Sequence, residues 1–111
     1  MPDIIPLIPT IVELVNSNDH EIGDETEARN IVAYEEDGWS IDIVYDVTGH
    51  WYVSEGDYWT PPVVKLLKAY GQVRSITASH EDDYGHETVF TPAQLQPLRE
   101  AIDINLSRIY P

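Results

Sequence analysis

Trp39 to Pro62 reads WSIDIVYDVTGHWYVSEGDYWTPP, and it holds all three tryptophans and three of the seven tyrosines. Ile41, Ile43, Tyr45 and Val47 alternate with Asp42, Val44 and Asp46, the period of two of a strand with one face buried and the other largely wet. Thr48-Gly49 interrupts the alternation. His50-Trp51-Tyr52-Val53 then resumes an aromatic, β-branched run, which predicts a hairpin or a bulged continuation. Ser54-Glu55-Gly56-Asp57 reads as a turn. Pro61 and Pro62 forbid helix and lack two ladder donors, so this part is expected to be extended and at a sheet edge.

On the N-terminal side, Asn30 to Glu36 reads as a short strand. Asp37-Gly38 between it and the central strand is a strong hairpin signal. Asn16 to Glu27 is rich in Asn, Asp and Glu and reads as a solvated loop, with room for a helical turn near Glu25–Arg29. Ile4, Leu7, Ile8, Ile11, Leu14 and Val15 share a helical face. Pro6 and Pro9 spoil its first turns, so a helix is expected from about Pro9, with a strand over Thr10–Val15 as the alternative.

On the C-terminal side, Val63–Tyr70 and Val73–Ser79 read as two strands joined by a turn near Gly71, with a helix over Val63–Tyr70 as the alternative. His80–His86 reads as an acidic loop and Thr88-Val89-Phe90 as a short strand. Thr91-Pro92-Ala93-Gln94 has a cap residue, proline at the first helical position and Gln three places after the cap. Leu95, Leu98, Ile102, Leu106 and Ile109 then form an apolar stripe, so a C-terminal helix is expected, kinked or restarted at Pro97. The fold class is α+β: a mostly antiparallel sheet of about four to six strands, with a C-terminal helix on one face and room for an N-terminal helix.

The chain has 111 residues and a formal charge of −14, fitting one domain over residues 1–111. Residues 1–57 carry 14 acids and one base, Arg29; residues 58–111 carry six acids and five bases. A concentrated negative potential is expected, which argues against direct nucleic-acid binding, because phosphate contacts need clustered Lys and Arg. No cysteine is present, so disulfides and thiolate metal sites are excluded. No apolar run has membrane-spanning length and the N-terminus lacks a signal-peptide pattern, so a cytoplasmic protein that does not contact a membrane is expected.

Chemistry-bearing clusters are few. His80, Asp82, Asp83, His86 and Glu87 could ligate a divalent metal and serve a hydrolase or nuclease, but they match no metal motif, and a solvated turn outweighs that reading. Asp19–Glu27 lacks the alternating order of a calcium loop. No G-x-S-x-G, P-loop or G-x-G-x-x-G occurs, so neither an enzyme nor a bound cofactor is expected. Tyr58 and Trp59, between a Gly-Asp turn and two prolines, suit a rigid loop that presents partner-binding aromatics. Glu35, Glu36, Asp37, Asp42, Asp46, Glu55 and Asp57 are the acids expected to join them in a contact surface, which could imitate the charge array of a DNA duplex.

Glu55 to Pro62, EGDYWTPP, resembles a segment in uncharacterised small proteins of bacteriophages and mobile elements, especially of Bacteroides-like bacteria. There G-D-Y-[WY]-T-P-P follows aromatic strands and precedes a β-pair and a short acidic helix. The likeness spans roughly residues 39–109; this chain departs from it in the long acidic insert before Asn30 and in the proline at 97. It implies a phage or mobile-element origin and no defined activity. The expected function is therefore an accessory protein that binds a host or phage protein, with inhibition of a restriction or CRISPR effector as the sharper variant. Its partner would carry a basic nucleic-acid-binding groove. A structural virion component, or a homodimer, is the alternative that self-association would reveal.

Overall fold

A computed structural model describes residues 3–107. A 3-10 turn over Ile5–Leu7 leads into helix α1 (Ile8–Ser17). Five strands follow: β1 (Gly23–Asp24), β2 (Ala28–Glu36), β3 (Trp39–Ser54), β4 (Val63–Glu81) and β5 (Glu87–Val89). Helix α2 (Pro92–Leu106) ends the described chain. The architecture is α+β, with one mixed, mostly antiparallel sheet and both helices on one face.

The alternation through Ile41–Val47 continues past Gly49, so β3 is a single strand of 16 residues. Gly49 is required because a Cβ there would press into Ile22 and the indole of Trp51. Opposite β3 lies one strand of 19 residues, β4, where two strands and a turn at Gly71 were expected. Gly71 simply pairs with Val47. The irregularities are bulges at Leu67 and Arg74, each skipped in the register with β3.

On the other edge of β3, β2 pairs antiparallel along Trp39–Val47, and β1 adds in parallel at Thr48 and Gly49. The Asp37-Gly38 turn has φ of +52° and +83°, the left-handed pair a two-residue hairpin turn demands. The expected helical turn near Glu25–Arg29 is absent, since Arg29 belongs to β2. The short C-terminal strand is Glu87–Val89, with Phe90 just beyond it.

Ile11, Ile41, Ile43, Leu98, Ile102 and Leu106 have no exposed surface and lie between sheet and helices with Val15, Val47, Val73 and Leu95. Tyr45 is buried among them, and its hydroxyl accepts from Asn18 at 2.9 Å and meets His20 Nδ1 at 2.6 Å. Thr91 and Gln94 form the expected capping box. Helix α2 runs unbroken through Pro97, whose ring faces outward on the exposed side. Ile109, the last residue of the expected stripe, lies outside the described residues.

The bulge at Arg74 is held by α2. The Val73 N–H donates to Asp103 Oδ1 at 2.9 Å, and Arg99 donates to the Val73 carbonyl at 3.1 Å. Backbone groups freed from the ladder are thereby satisfied across the layer.

Helix length sets the outline. Helix α2 has 15 residues and spans about 22 Å, whereas β3 spans about 50 Å. The helices cover only the part of the ribbon up to about Gly49. Beyond it, His50–Ser54 and Val63–Lys68 project as a two-stranded arm. The molecule measures 69 × 21 × 20 Å with a radius of gyration of 18.0 Å, against about 13 Å for a compact chain of this length. No helix among the described residues is long and apolar enough to cross a membrane.

Candidate functional site

The arm ends in the loop Glu55–Pro62, whose shape follows from two residues. Gly56 has φ of +74°, and a Cβ there would strike the Thr60 carbonyl and the backbone of Pro61 and Pro62. Only glycine fits that close return of the chain. Asp57 is the clasp: its Oδ1 accepts from the Trp59 N–H at 2.8 Å and the Thr60 N–H at 2.7 Å, and its own N–H donates to the Thr60 carbonyl at 2.9 Å. Such Asx geometry lets one carboxylate replace a turn's backbone bonds. The two backbone N–H donors favour the ionised form and hold the Asp57 carboxyl below its ordinary range.

Tyr58 and Trp59 stand on this clasp, 89% and 86% exposed. Their rings meet edge to face at 4.8 Å and 82°. Pro61 and Pro62 lie in the loop outside the ladder and lead into β4, rather than forming a sheet edge. Along the stem Tyr52, Val53, Val63, Val64 and Leu67 are exposed, and no other described element covers them. Lys65 and Lys68 share this stem, the Lys68 ammonium lying 5.8 Å from the Tyr70 ring centroid. Apolar side chains are thus grouped in water along the end of a projecting ribbon.

The acids are distributed otherwise than their sequence order implied. Glu35, Glu36 and Asp37 sit at the opposite end of β3 from Glu55, Asp57, Tyr58 and Trp59, about 50 Å away. The expected contact set is therefore not one patch. At that blunt end the turn at Asp37-Gly38 meets the turn after β4. The Glu81 N–H donates to the Gly38 carbonyl at 2.9 Å, and His80 Nε2 lies 3.2 Å from the Asp37 carbonyl. Glu81, Asp82, Asp83 and Glu87 from the second half of the chain thus join Glu35, Glu36 and Asp37 from the first.

Asp42 is exposed on the sheet face that no helix covers. Asp46 shares that face but is buried, 2.9 Å from the Arg74 guanidinium and 4.0 Å from that of Arg29; Arg74 also lies 3.7 Å from Glu27. Asp46 is therefore covered by Arg74 and Arg29, whose side chains are themselves exposed, and does not present its carboxylate at the surface as expected, a correction that follows from the guanidinium of Arg74, next to the bulge, lying 2.9 Å from it.

His80 packs edge-on against Trp39 at 4.8 Å, and Trp39 stacks on Phe90. Asp82 staples its loop, accepting from the N–H groups of Tyr84 and His86 at 2.9 and 2.8 Å. His86 Nδ1 lies 3.5 Å from Asp82. Among the described residues no three or more His, Asp or Glu converge as a metal would require. The clasp function of Asp57 escaped the sequence reading, although D-x-x-T after a glycine was a usable signal for it.

Comparison with protein-family models, curated proteins and solved structures found no match.

Proposed function

We propose that this protein is a non-enzymatic binding protein, an accessory factor of the phage or mobile-element kind, that engages another protein through the tip of its arm. The observation that carries this reading is the pairing of two almost fully exposed aromatics with a backbone pinned beneath them by Asp57. Trp and Tyr dominate interface energetics. A preorganised loop loses little conformational freedom on docking. The arm's length would let the tip enter a recess while the body stays outside.

The test is capture of a host-cell protein by the wild type and by a Tyr58→Ala/Trp59→Ala double variant. The affinity should fall by about a hundredfold or more, the size of two lost hot spots, with the fold intact. Equal affinity of the two proteins for the captured partner would sink the proposal.

A second reading, inhibition of a restriction or CRISPR effector by imitation of a duplex, draws on the blunt end. Seven carboxylates lie in or next to the two turns that meet there, and neither lysine nor arginine occurs in those turns. Binding of that kind weakens steeply with salt and competes with DNA. A ternary complex with DNA still bound would eliminate it.

A further inference from the structure

Strand β2 has a free edge. Among the described residues it pairs with β3 alone. The two-residue turn makes Glu36–Trp39 a hydrogen-bonded pair, and such pairs alternate along an antiparallel ladder. The N–H and C=O groups of Ile31, Ala33 and Glu35 therefore point away from β3. The free edge of β4 is defended by two bulges and by Lys65 and Lys68, devices that discourage strand addition. Strand β2 has no bulge, proline or lysine.

Beside this edge runs a groove of about 440 Å³, lined by Thr10, Glu13, Leu14 and Ser17 of α1 and by Ala33 to Glu36 of β2. The four helix positions fall at the spacing of one helical stripe. Leu14 and Tyr34, both half-buried, supply apolar wall. Glu13, Glu35 and Glu36 supply negative charge, and no basic side chain lines the groove.

From this the geometry points to a peptide site independent of the arm. An extended basic segment of a partner protein adds to β2 as a further strand and lies between that strand and α1. Main-chain hydrogen bonds to Ile31, Ala33 and Glu35 would give affinity. Alternate side chains would reach Leu14 and Tyr34, and the glutamates would select lysine or arginine over acidic residues.

The probe is a capped decapeptide alternating lysine and valine, with a glutamate–valine decapeptide as control, added to the full chain. Binding is read by titration, and its place by amide hydrogen exchange. The lysine peptide should bind and slow exchange at Ile31, Ala33 and Glu35, and the glutamate peptide should not. Ala33→Pro removes an outward N–H that β3 does not use, and should weaken binding about tenfold or more. Glu13→Lys should weaken it similarly without touching the edge. Equal binding of both peptides, protection that maps to the arm, or slowed exchange on β2 that appears through self-association without peptide would each overturn the site. Should Ala33→Pro fail to fold, the exchange map of the wild type decides alone.

Discussion

Strands β3 and β4 are each continuous, yet they run through two different environments. Between Trp39 and Gly49 the ribbon is flanked by β2 and β1 and roofed by both helices, and Ile41, Ile43, Tyr45 and Val47 have no exposed surface. Between His50 and Lys68 the same two strands carry Tyr52, Val53, Val63, Val64 and Leu67 into solvent. The residue types barely change, and both stretches are aromatic and β-branched. What changes is the cover, because two helices of 10 and 15 residues cannot roof strands of this length. Strand propensity builds the ribbon; burial by a second layer divides it into a buried body and an arm left in solvent.

The largest expected difference between the two regions is in stability. Leu98 is fully buried between α2 and the sheet, so Leu98→Ala should lower unfolding free energy by about 2–5 kcal/mol, measured by urea denaturation. Tyr58→Ala/Trp59→Ala, removing more surface in the arm, should stay within about 0.5 kcal/mol of wild type. A large loss in the arm variant would mean that the tip packs on the body and that the division is wrong.

Next is the link that binds the helix layer to β4. Asp103→Ala takes the acceptor from the Val73 N–H at the bulge and should cost about 1–3 kcal/mol. Asp103→Asn keeps an acceptor at Oδ1 and should recover most of it. Equal losses in both would show that charge, through Arg99 4.0 Å away, carries the effect.

A smaller effect is expected from shortening the arm. Replacing residues 53–64 with Asn-Gly closes the Tyr52–Lys65 pair with a two-residue turn. Unfolding free energy should move by about 1 kcal/mol or less, while the radius of gyration from solution scattering falls below 18.0 Å. An unchanged radius would mean that the arm folds back in solution.

Much of this was legible in residues. The period of two in Ile41–Val47, the Asp37-Gly38 turn and the Thr91–Gln94 capping box are local signals, and each sits where its physics puts it. What was not legible depends on distance through space. Gly71 looks like a turn because glycine so often is one, but opposite Val47 it is a strand residue. The acids of the first half do not form one patch, because β3 holds Glu35, Glu36 and Asp37 at one end of the ribbon and Glu55 and Asp57 at the other, and antiparallel pairing brings Gly38 beside Glu81. Asp46 reads as a solvent-facing acid until the bulge at Arg74 supplies its partner. The exposure of Tyr58 and Trp59 was visible in their neighbours, whereas the groove beside β2 needed the knowledge of which strand lies at the edge.

The smallest effect separates tip from body by pH. Asp57 has its folded pKa lowered by the N–H groups of Trp59 and Thr60. For a carboxyl depressed in the folded state, the stabilising contribution is present above the unfolded value of about 3.9, and it is lost as pH falls through the folded value. The Trp59 indole resonance should therefore shift and broaden on acidification below that range, as the clasp opens. The Trp39 resonance, in a ring stacked on Phe90 in the body, should not follow the same curve. Asp57→Asn keeps the acceptor without the titration, so its Trp59 signal should lose the step while the tip stays ordered. Asp57→Ala should show the opened spectrum at neutral pH. If Trp59 and Trp39 titrate together in the wild type, the tip is not an independently ordered unit, and the aromatics are held by something other than Asp57.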